Sequence, residues 1–518
     1  MVATATLFFC QCRKTEQTEI VEKTLKSTTA QQKLSLGGDI IGKITVGYQG
    51  WFSANGDGSP VNMFGHTNLE MWPDTREYST TYGAVPFAQE GTSEGPFAGT
   101  LGNGQPAKMF SSYDQSTVNT HFQWMQSYDI DCVALQRFAN EITPGSAIKA
   151  QRDGMAQKVR AASEHYGRKF YIMYDASGWG DLAAIKADWT NTITGSLNTV
   201  SSPNYAMQDG KPVVCIYGLG YAHHPSNEGE ALDLINWFKA QGCYVIGSVP
   251  GGWRTGAGAR ENFIEVFTSF DMISGWTVGN RIDSGYGDFV AADKSFCEKN
   301  GVAYQPCVYP GTAFHNTNGS ISIKNEIPRL HGDFMWRQFT ALKRSGNTTA
   351  YIAMFDELNE ATSIFKVAED SSMAPKGKYF LNLDADGVHL SSDFYLRLVK
   401  DGGSMVKGNR PFQEKHTTPF VIPVTTNTGN AVKFYPDINY KGTPSASIPI
   451  GKYSTLQLLL LGMPNNWMSS VTIPKGRTVT MYADANFKGT SWVLTSDTPD
   501  FTKLLPNAND IVSSVIVK

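Results

Sequence analysis

The strongest constraint on the fold of this chain is an alternation that begins after Gly37-Gly38 and runs to about residue 402. Short runs rich in Val, Ile, Tyr and Phe, at 44–52, 132–138, 169–175, 212–217, 244–250, 272–278, 303–309 and 350–355, read as strands. Amphipathic stretches at 116–128, 146–166, 181–193, 228–241, 261–270, 288–300 and 332–345 lie between them and read as helices, and 391–400 closes the series. Eight strand–helix units in one domain predict an α/β fold, a (β/α)8 TIM barrel, over residues 37–402. The rival is a doubly wound open sheet. It brings a Gly-rich phosphate turn after its first strand, where this chain has Gln49-Gly50-Trp51-Phe52.

A chain of 518 residues has room for more than this barrel. Its net charge of −3 supplies no basic field for nucleic acid or an anionic membrane. Hydrophobic residues at 41% and charged residues at 18% exclude disorder, collagen, coiled coil and a multispanning membrane protein. The 11 Trp, 22 Tyr and 28 Phe suit an aromatic-lined cleft as well as a core. Cys132, Cys215 and Cys307 fall inside strand-like runs and read as buried thiols, and no cysteine spacing suggests zinc.

A barrel carries its chemistry at the C-terminal ends of its strands. Those positions hold Tyr48, Gln49, Trp51, Gln136, Arg137, Tyr174, Asp175, Trp253, Arg254, Trp276, Arg281, Tyr309 and Asp356. Aromatic rings among carboxylates, amides and arginines describe a sugar-binding cleft, because sugar faces stack on rings while hydroxyls need polar partners. Three guanidiniums, Arg137, Arg254 and Arg281, suit an anionic glycan, sulfated or uronic. They suit equally well ion pairs with cleft carboxylates such as Asp175 or Glu357. The long segment 53–108, with His66, Glu70, Trp72 and Asp74, reads as a functional loop or a surface excursion.

The sharpest local signal is Phe355-Asp356-Glu357-Leu358-Asn359-Glu360-Ala361-Thr362 at the end of the last strand. Where a strand turns into a helix-like loop, residues three apart can converge on one side. Two carboxylates at a barrel mouth supply the acid and base of glycoside hydrolysis. Residues 351–364 resemble the F-[ND]-E-x-x-E-[GA]-T-x-I signature of family 99 glycoside hydrolases, endo-α-mannosidases and endomannanases, with family 71 α-1,3-glucanases as more distant kin. Gly47-Tyr48-Gln49-Gly50-Trp51-Phe52 and 122–138 are similar to that family's first two units. The resemblance implies a TIM-barrel, endo-acting, retaining O-glycosyl hydrolase needing no cofactor for catalysis. It implies that Glu357 deprotonates the substrate's 2-hydroxyl and that Glu360 protonates the leaving oxygen, then serves as base for water. Characterised members have Trp, His and Gly where this chain has Leu358, Asn359 and Ala361.

Residues 403–430, rich in Gly, Thr and Pro, read as a linker. Beyond them Tyr435–Gly442 recurs as Tyr482–Gly489, and Asn465-Asn466-Trp467-Met468-Ser469-Ser470 as Asn509-Asp510-Ile511-Val512-Ser513-Ser514. This resembles the βγ-crystallin pattern, which implies a small all-β Greek-key sandwich over 431–518. The N/D-N/D-x-x-S-S element resembles the calcium motif of microbial members. The resemblance implies two weak, structural Ca²⁺ sites from Asn465, Asn466, the Trp467 carbonyl, Ser469, Asn509, Asp510, the Ile511 carbonyl and Ser513. The serines also brace the hairpin in members that bind no metal. Trp467 and Trp492 read as core before sugar contacts.

At the other end, the apolar run Val2–Phe9 reaches Cys10 and Cys12 before a polar stretch to residue 36. It resembles the end of a bacterial lipoprotein signal with Cys10 or Cys12 lipidated; a start within an ordinary secretory signal is the alternative. Both readings export the protein, to the medium or the cell surface, and any membrane contact runs through the lipid. The function expected is an exported glycosidase acting on an α-linked polysaccharide or oligosaccharide, mannan-type or anionic. Its rivals are a non-catalytic glycan-binding surface protein and a calcium-stabilised adhesive protein.

Overall fold

The computed structural model describes residues 38–518 apart from 67, 84–98, 179, 281, 283, 284, 422–430, 446 and 462. The leader with Cys10 and Cys12, and the cleft candidate Arg281, therefore lie outside the described residues. The chain divides into two compact units, Met1–Phe420 and Val421–Lys518. No helix among the described residues is long and apolar enough to cross a membrane.

The first unit is built on nine parallel strands: β1 (Ile44–Tyr48), β2 (Cys132–Phe138), β3 (Lys169–Asp175), β4 (Lys211–Tyr217), β5 (Tyr244–Pro250), β6 (Met272–Trp276), β7 (Ala303–Tyr304), β8 (Cys307–Val308) and β9 (Ala350–Ile352). Their near-continuous apolar sequence follows from burial on both faces. Pairing runs β7-β6-β5-β4-β3-β2-β1-β9-β8. The first and last members are two halves of the one strand expected at 303–309. Pro306 has no N–H to give, so the segment changes partners there. The Gln305 N–H still donates to Ile273 (2.9 Å), whereas the Pro306 carbonyl accepts from Tyr351 (3.0 Å). The ladder thus comes back to where it began, a TIM-barrel-like arrangement.

Helices cover the outside: α1 (Gln115–Ser127), α2 (Ala147–Tyr166), α3 (Leu182–Asp188), α4 (Glu228–Ala240), α5 (Ile264–Thr268), α6 (Tyr286–Lys299), α7 (Asp333–Arg344) and α8 (Phe394–Lys407). Local chemistry sets their ends. Ser146 caps α2 by accepting from the Lys149 N–H, left-handed Gly167 closes it, and Asn227 with Glu230 forms a capping box on α4. The helix expected over 181–193 is α-helical only to Asp188 and widens into π turns over Trp189–Ser196, where Thr190, Thr192, Thr194 and Gly195 are poor α-formers. The last helix runs past residue 402 to Lys407. The chain beyond it folds back, with Arg397 donating to the Pro419 carbonyl (2.6 Å) and Trp336 to that of Gln413 (3.0 Å). Cys132, Cys215, Cys243, Cys297 and Cys307 are all buried free thiols.

The second unit holds six strands in two antiparallel sheets. β10 (Lys433–Tyr435) pairs with β12 (Ser470–Thr472); β11 (Gly451–Tyr453), β15 (Ser514–Val517), β13 (Val479–Asp484) and β14 (Lys488–Leu494) follow in that order. Eight strands were expected from two four-stranded motifs. Where the others would lie there are single bridges, Val432 to Ile448 and Val471 to Thr498, too short to make ladders. Phe434, Met481, Trp492, Phe501 and Val515 fill the core. Trp492 is buried and donates to the Pro506 carbonyl (2.7 Å), and Trp467 packs partly buried against the same core.

The two sequence repeats adopt the same backbone. Asn439-Tyr440 and Asn486-Phe487 are left-handed at φ 58, 58, 59 and 60°, and so are Asn466 and Asp510 at 59 and 55°. Ser470 Oγ donates to the Asp437 carbonyl (2.7 Å) and accepts from the Tyr440 N–H (3.1 Å). Ser514 repeats this with Asp484 (2.7 Å) and Phe487 (3.0 Å). The second serine of each pair is therefore the hairpin brace. Gly442 and Gly489, at φ 81 and 75°, let the hairpin fold close: a Cβ on Gly489 would stand 2.4 Å from Asp484 Oδ2.

Candidate active site

The site grows from two strand ends side by side. β1 stops at Tyr48 because Asp356, just beyond β9, takes the next two N–H groups: Oδ1 accepts from Gln49 (2.8 Å) and Oδ2 from Gly50 (2.9 Å). So held, Gln49 turns its carboxamide inward, and Nε2 donates to Glu357 Oε2 (3.0 Å). Glu357 Oε1 accepts from the Asn359 N–H (2.9 Å). Both oxygens of this buried carboxyl are thus acceptors.

The loop carrying Glu357 and Glu360 is fastened on several sides. The Leu358 carbonyl accepts from Glu70 (2.9 Å), and that of Glu360 from Ala313 (3.1 Å) and from Thr312 Oγ1 (2.7 Å). From beneath, buried Arg329 donates Nη2 to the Ala361 and Ser363 carbonyls (2.8 and 2.7 Å) and lies on the Tyr395 ring (4.5 Å). The Glu360 side chain is only half-buried at the surface of the loop, with no protein donor on its carboxyl among the described residues. Burial raises the pKa of both glutamates, and Glu357 is raised further by the charges of Glu360 and Asp356. Burial also pushes Asp356 up to about 6 against the two N–H bonds that favour its ionised form.

Gln136 shares a face with Met173 in the β2–β3 ladder, and Met173 Sδ meets Tyr351 OH (3.5 Å) inside the barrel. Asp175 ends β3, held at Oδ1 by the Ser177 N–H (2.8 Å) and hydroxyl, and burial pushes it up to about 6. Trp276 stands edge-on to Tyr217 (5.2 Å) and tilted against Tyr351 (6.2 Å). Trp51 lies between His66 (3.7 Å) and Phe138 (5.5 Å), both stacked on it within 15° of parallel. Both rings take up stacking surface of Trp51. Gln49, Gln136, Asp175, Trp276, Glu357 and Glu360 are the sequence candidates that face the barrel mouth.

Others turn away. Tyr48 hydrogen-bonds His121 Nδ1 (2.8 Å) on α1, whose Nε2 meets Tyr78 OH (2.7 Å); burial lowers the His121 pKa to about 3. Arg137 pairs with Asp188 through Nε and Nη2 (both 2.6 Å) and with Asp153 (2.6 Å), and Tyr174 OH donates to Asp188 (2.7 Å). Arg254 pairs with Asp293 of α6 (2.6 Å), and Trp253 packs on Phe267 and Phe296. Tyr309 is fixed by Gln338, which accepts from its N–H (3.1 Å) and donates to its carbonyl (2.8 Å). The contacts given for these six, and for Asp356, are made within the protein. The ion pairs anticipated for Arg137 and Arg254 exist, but with helix carboxylates.

Several site residues went unselected. Asn359 contributes a main-chain N–H, for which no side-chain pattern exists. Arg329 and His121 gave no signal, since each lies in an unremarkable helical or loop context.

In the second unit the first serine of each pair also bonds its hairpin, Ser469 through its hydroxyl and Ser513 through its N–H to the Tyr482 carbonyl (2.8 Å). Ser469 Oγ donates to the Pro436 carbonyl (2.6 Å) and lies 3.3 Å from Asp510 Oδ1, so it meets the acidic residue of the other repeat. Asn509 Nδ2 donates to Asp510 Oδ2 (2.7 Å), while its Oδ1 is buried without a hydrogen-bond partner. An acceptor lacking a donor beside a carboxylate and a hydroxyl fits a hard cation. Asn465 and Asn466 are exposed, and Ser513 makes no contact with them among the described hydrogen bonds. No group of three or more His, Cys, Asp or Glu among the described residues forms a metal cluster.

No protein-family model and no curated protein matches this chain. Residues spanning 17% of it are similar to 97% of a βγ-crystallin domain from Clostridium beijerinckii at 44% identity, with a TM-score of 0.16. The GH99 endo-alpha-mannosidase from Bacteroides thetaiotaomicron matches over 71% of this chain and 98% of its own, at 14% identity and a TM-score of 0.50. Its complex with BIS-TRIS-Propane matches over 72% and 99%, at 12% identity and a TM-score of 0.51. The larger unit of this chain is therefore similar in fold to the GH99 endo-alpha-mannosidase.

Proposed function

We propose that the protein is a retaining glycosidase that cleaves within an uncharged, α-linked, mannan-type polysaccharide, with Glu357 as base and Glu360 as acid. The observation carrying this is the unequal setting of two neighbouring, mutually repelling carboxyls beyond the last strand, Glu357 buried and Glu360 half-buried. Repulsion favours one proton between them at neutral pH. Two N–H donors favour the ionised form of Glu357 against the burial and neighbouring charges that raise it, while Glu360, whose carboxyl accepts no bond among the described residues, can hold the proton. In the first step Glu357 Oε2 takes the proton of the sugar 2-hydroxyl, and that oxygen attacks the anomeric carbon. The glycosidic C–O bond breaks as Glu360 gives its proton to the leaving oxygen, and a 1,2-anhydro sugar results. Glu360 then removes a proton from water, which opens the anhydro ring; Glu357 returns its proton to the 2-oxygen. Two inversions give net retention. Absence of charge on the substrate is supported by Arg137 and Arg254, both committed to carboxylates outside the mouth, which is itself lined by Asp175, Glu357 and Glu360.

The second unit reads best as a βγ-crystallin-like Greek-key module binding Ca²⁺ through Asn509, Asp510 and Ser469. The ion would supply cross-links between oxygens of the two repeats. The apolar segment ending at Cys10 and Cys12 supports export, with lipid attachment as the further step.

The test is a chromatographic product screen on α-mannan, α-glucan and sulfated algal glycans, beside Glu360→Gln. Oligosaccharides from α-mannan that disappear in the variant, with binding retained, are expected. Release from the sulfated glycans alone would overturn the uncharged substrate; binding without any release would favour a glycan-binding protein.

A further inference from the structure

The Gln49 carboxamide is satisfied at one end only. Nε2 donates to Glu357 Oε2 (3.0 Å), while Oε1 is buried with no partner among the described residues. A buried amide oxygen without a donor leaves its desolvation uncompensated, which points to a second use for the residue. Turning the amide over about its last side-chain torsion exchanges the two ends. Nε2 then occupies the unpartnered position, and Oε1 faces Glu357. One end lacks a partner in either orientation, so that cost cancels between them. What remains is the state of Glu357. An ionised carboxyl only accepts and suits Nε2; a protonated one must donate from one oxygen and suits Oε1.

The backbone beneath this side chain cannot follow the turn. The Gln49 and Gly50 N–H groups are both held by Asp356. Asn359 keeps the other Glu357 oxygen as an acceptor, so the proton belongs on Oε2, the oxygen that faces Gln49. The charged and titratable groups around the pair are Asp356 beneath, Glu360 across the loop, and the hydroxyls of Tyr48, Tyr351 and Tyr217, which feel those two carboxyls.

We propose that Gln49 is a positioning residue that follows the proton on Glu357, presenting Nε2 to the carboxylate and Oε1 to the acid. This rests on the proposed role of Glu357 as base. When Glu357 takes the proton of the substrate's 2-hydroxyl, the carboxamide turns and accepts a hydrogen bond from the new O–H; when the proton returns, it turns back. The proton moves between the sugar oxygen and Glu357 Oε2 only, and Gln49 itself gains and loses none.

The test is nuclear magnetic resonance on the full chain, selectively labelled with ¹⁵N in glutamine side chains and ¹³C in glutamate carboxyls, across a pH titration without substrate. Gln49→Met identifies the Gln49 amide signal, and Glu357→Gln identifies the Glu357 carboxyl. The expected result is a Gln49 amide shift with the same midpoint as Glu357, lost in Glu357→Gln, whose folding is checked by the unchanged remaining signals. A Gln49 signal that stays flat while Glu357 titrates would overturn the proposal, as would one that still titrates in Glu357→Gln. This readout does not use turnover. A protein that cleaves no glycan yet shows the linked titration would retire the glycosidase and keep the coupling; cleavage with a flat Gln49 signal would do the reverse.

Discussion

Arg137 and Asp188 form a two-pronged ion pair on the outer wall of the barrel, with Nε to Oδ2 and Nη2 to Oδ1 both at 2.6 Å and both side chains about 2% exposed. Breaking one partner of such a pair leaves an uncompensated buried charge, which costs about 3–5 kcal/mol. Arg137→Met is expected to lower the melting temperature of the larger unit while leaving glycan affinity of the folded protein unchanged. Calorimetric melting alongside titration with an oligosaccharide checks both; loss of affinity at full stability would return Arg137 to the cleft.

Asp356 predicts a pH signature. A free aspartate ionises near 3.8, whereas burial holds the proton on Asp356 up to about 6. Between those values the folded state binds more protons than the unfolded one. The stability contributed by this group is therefore fully present below about 3.8 and lost as pH rises through about 6. Asp356→Asn is destabilising at every pH, since one oxygen no longer holds the Gly50 N–H. Its deficit against wild type should be largest at low pH and shrink as pH rises, in denaturant titrations from pH 4 to 7.

His121 accepts and donates between two buried hydroxyls, those of Tyr48 and Tyr78. Phenylalanine fills the space and strands both, at about 1–3 kcal/mol each. His121→Phe with Tyr48→Phe and Tyr78→Phe together should recover much of what His121→Phe alone loses, and urea unfolding of the single and triple variants measures it.

The serine pairs of the second unit separate structure from metal. Ser470→Ala and Ser514→Ala each remove a hairpin brace and should destabilise this unit by about 1 kcal/mol with or without Ca²⁺. Ser469→Ala also loses a bond to the Pro436 carbonyl, but should cost more with Ca²⁺ than in the chelated protein. Melting curves with Ca²⁺ and with EDTA distinguish them. At a hundredfold excess over its Kd, an ion bound only to the folded state adds about 2.7 kcal/mol.

Gly489→Ala places a methyl against Asp484 Oδ2 in a left-handed backbone and is expected to cost about 1–3 kcal/mol in the same unit. The equivalent change at Gly56, left-handed but with open space at its Cβ position, supplies the control for strain alone.

The strands were legible because burial on both faces writes them as apolar runs, and the glutamate pair because it ends the last of those runs. The direction of individual side chains is written less plainly. Tyr48 and Gln49, Gln136 and Arg137, and Tyr174 and Asp175 are adjacent in strands or at their ends, so the period of two lets only one of each pair face the mouth. In each case the other turns outward, to His121 or to Asp188. The phase of that alternation depends on where helices supply partners, which lies more than ten residues away in sequence. The π turns at Trp189–Ser196 and the break at Pro306 likewise depend on what packs alongside.

That break has a consequence for how the molecule is made. Strand β1 pairs with β2, from early in the chain, and with β9, from near the end of the larger unit. As the chain leaves the ribosome, β1 can dock against β2 at once, but its other edge stays bare until the last turn of the barrel has been synthesised. The same wait applies to the half-strands on either side of Pro306, one of which binds backward to β6 and the other forward to β9. Until Ala350 has been made, the pairing edges of β1 and of the half-strand after Pro306 have no partner to close on, and unpaired strand edges of this kind favour mispairing.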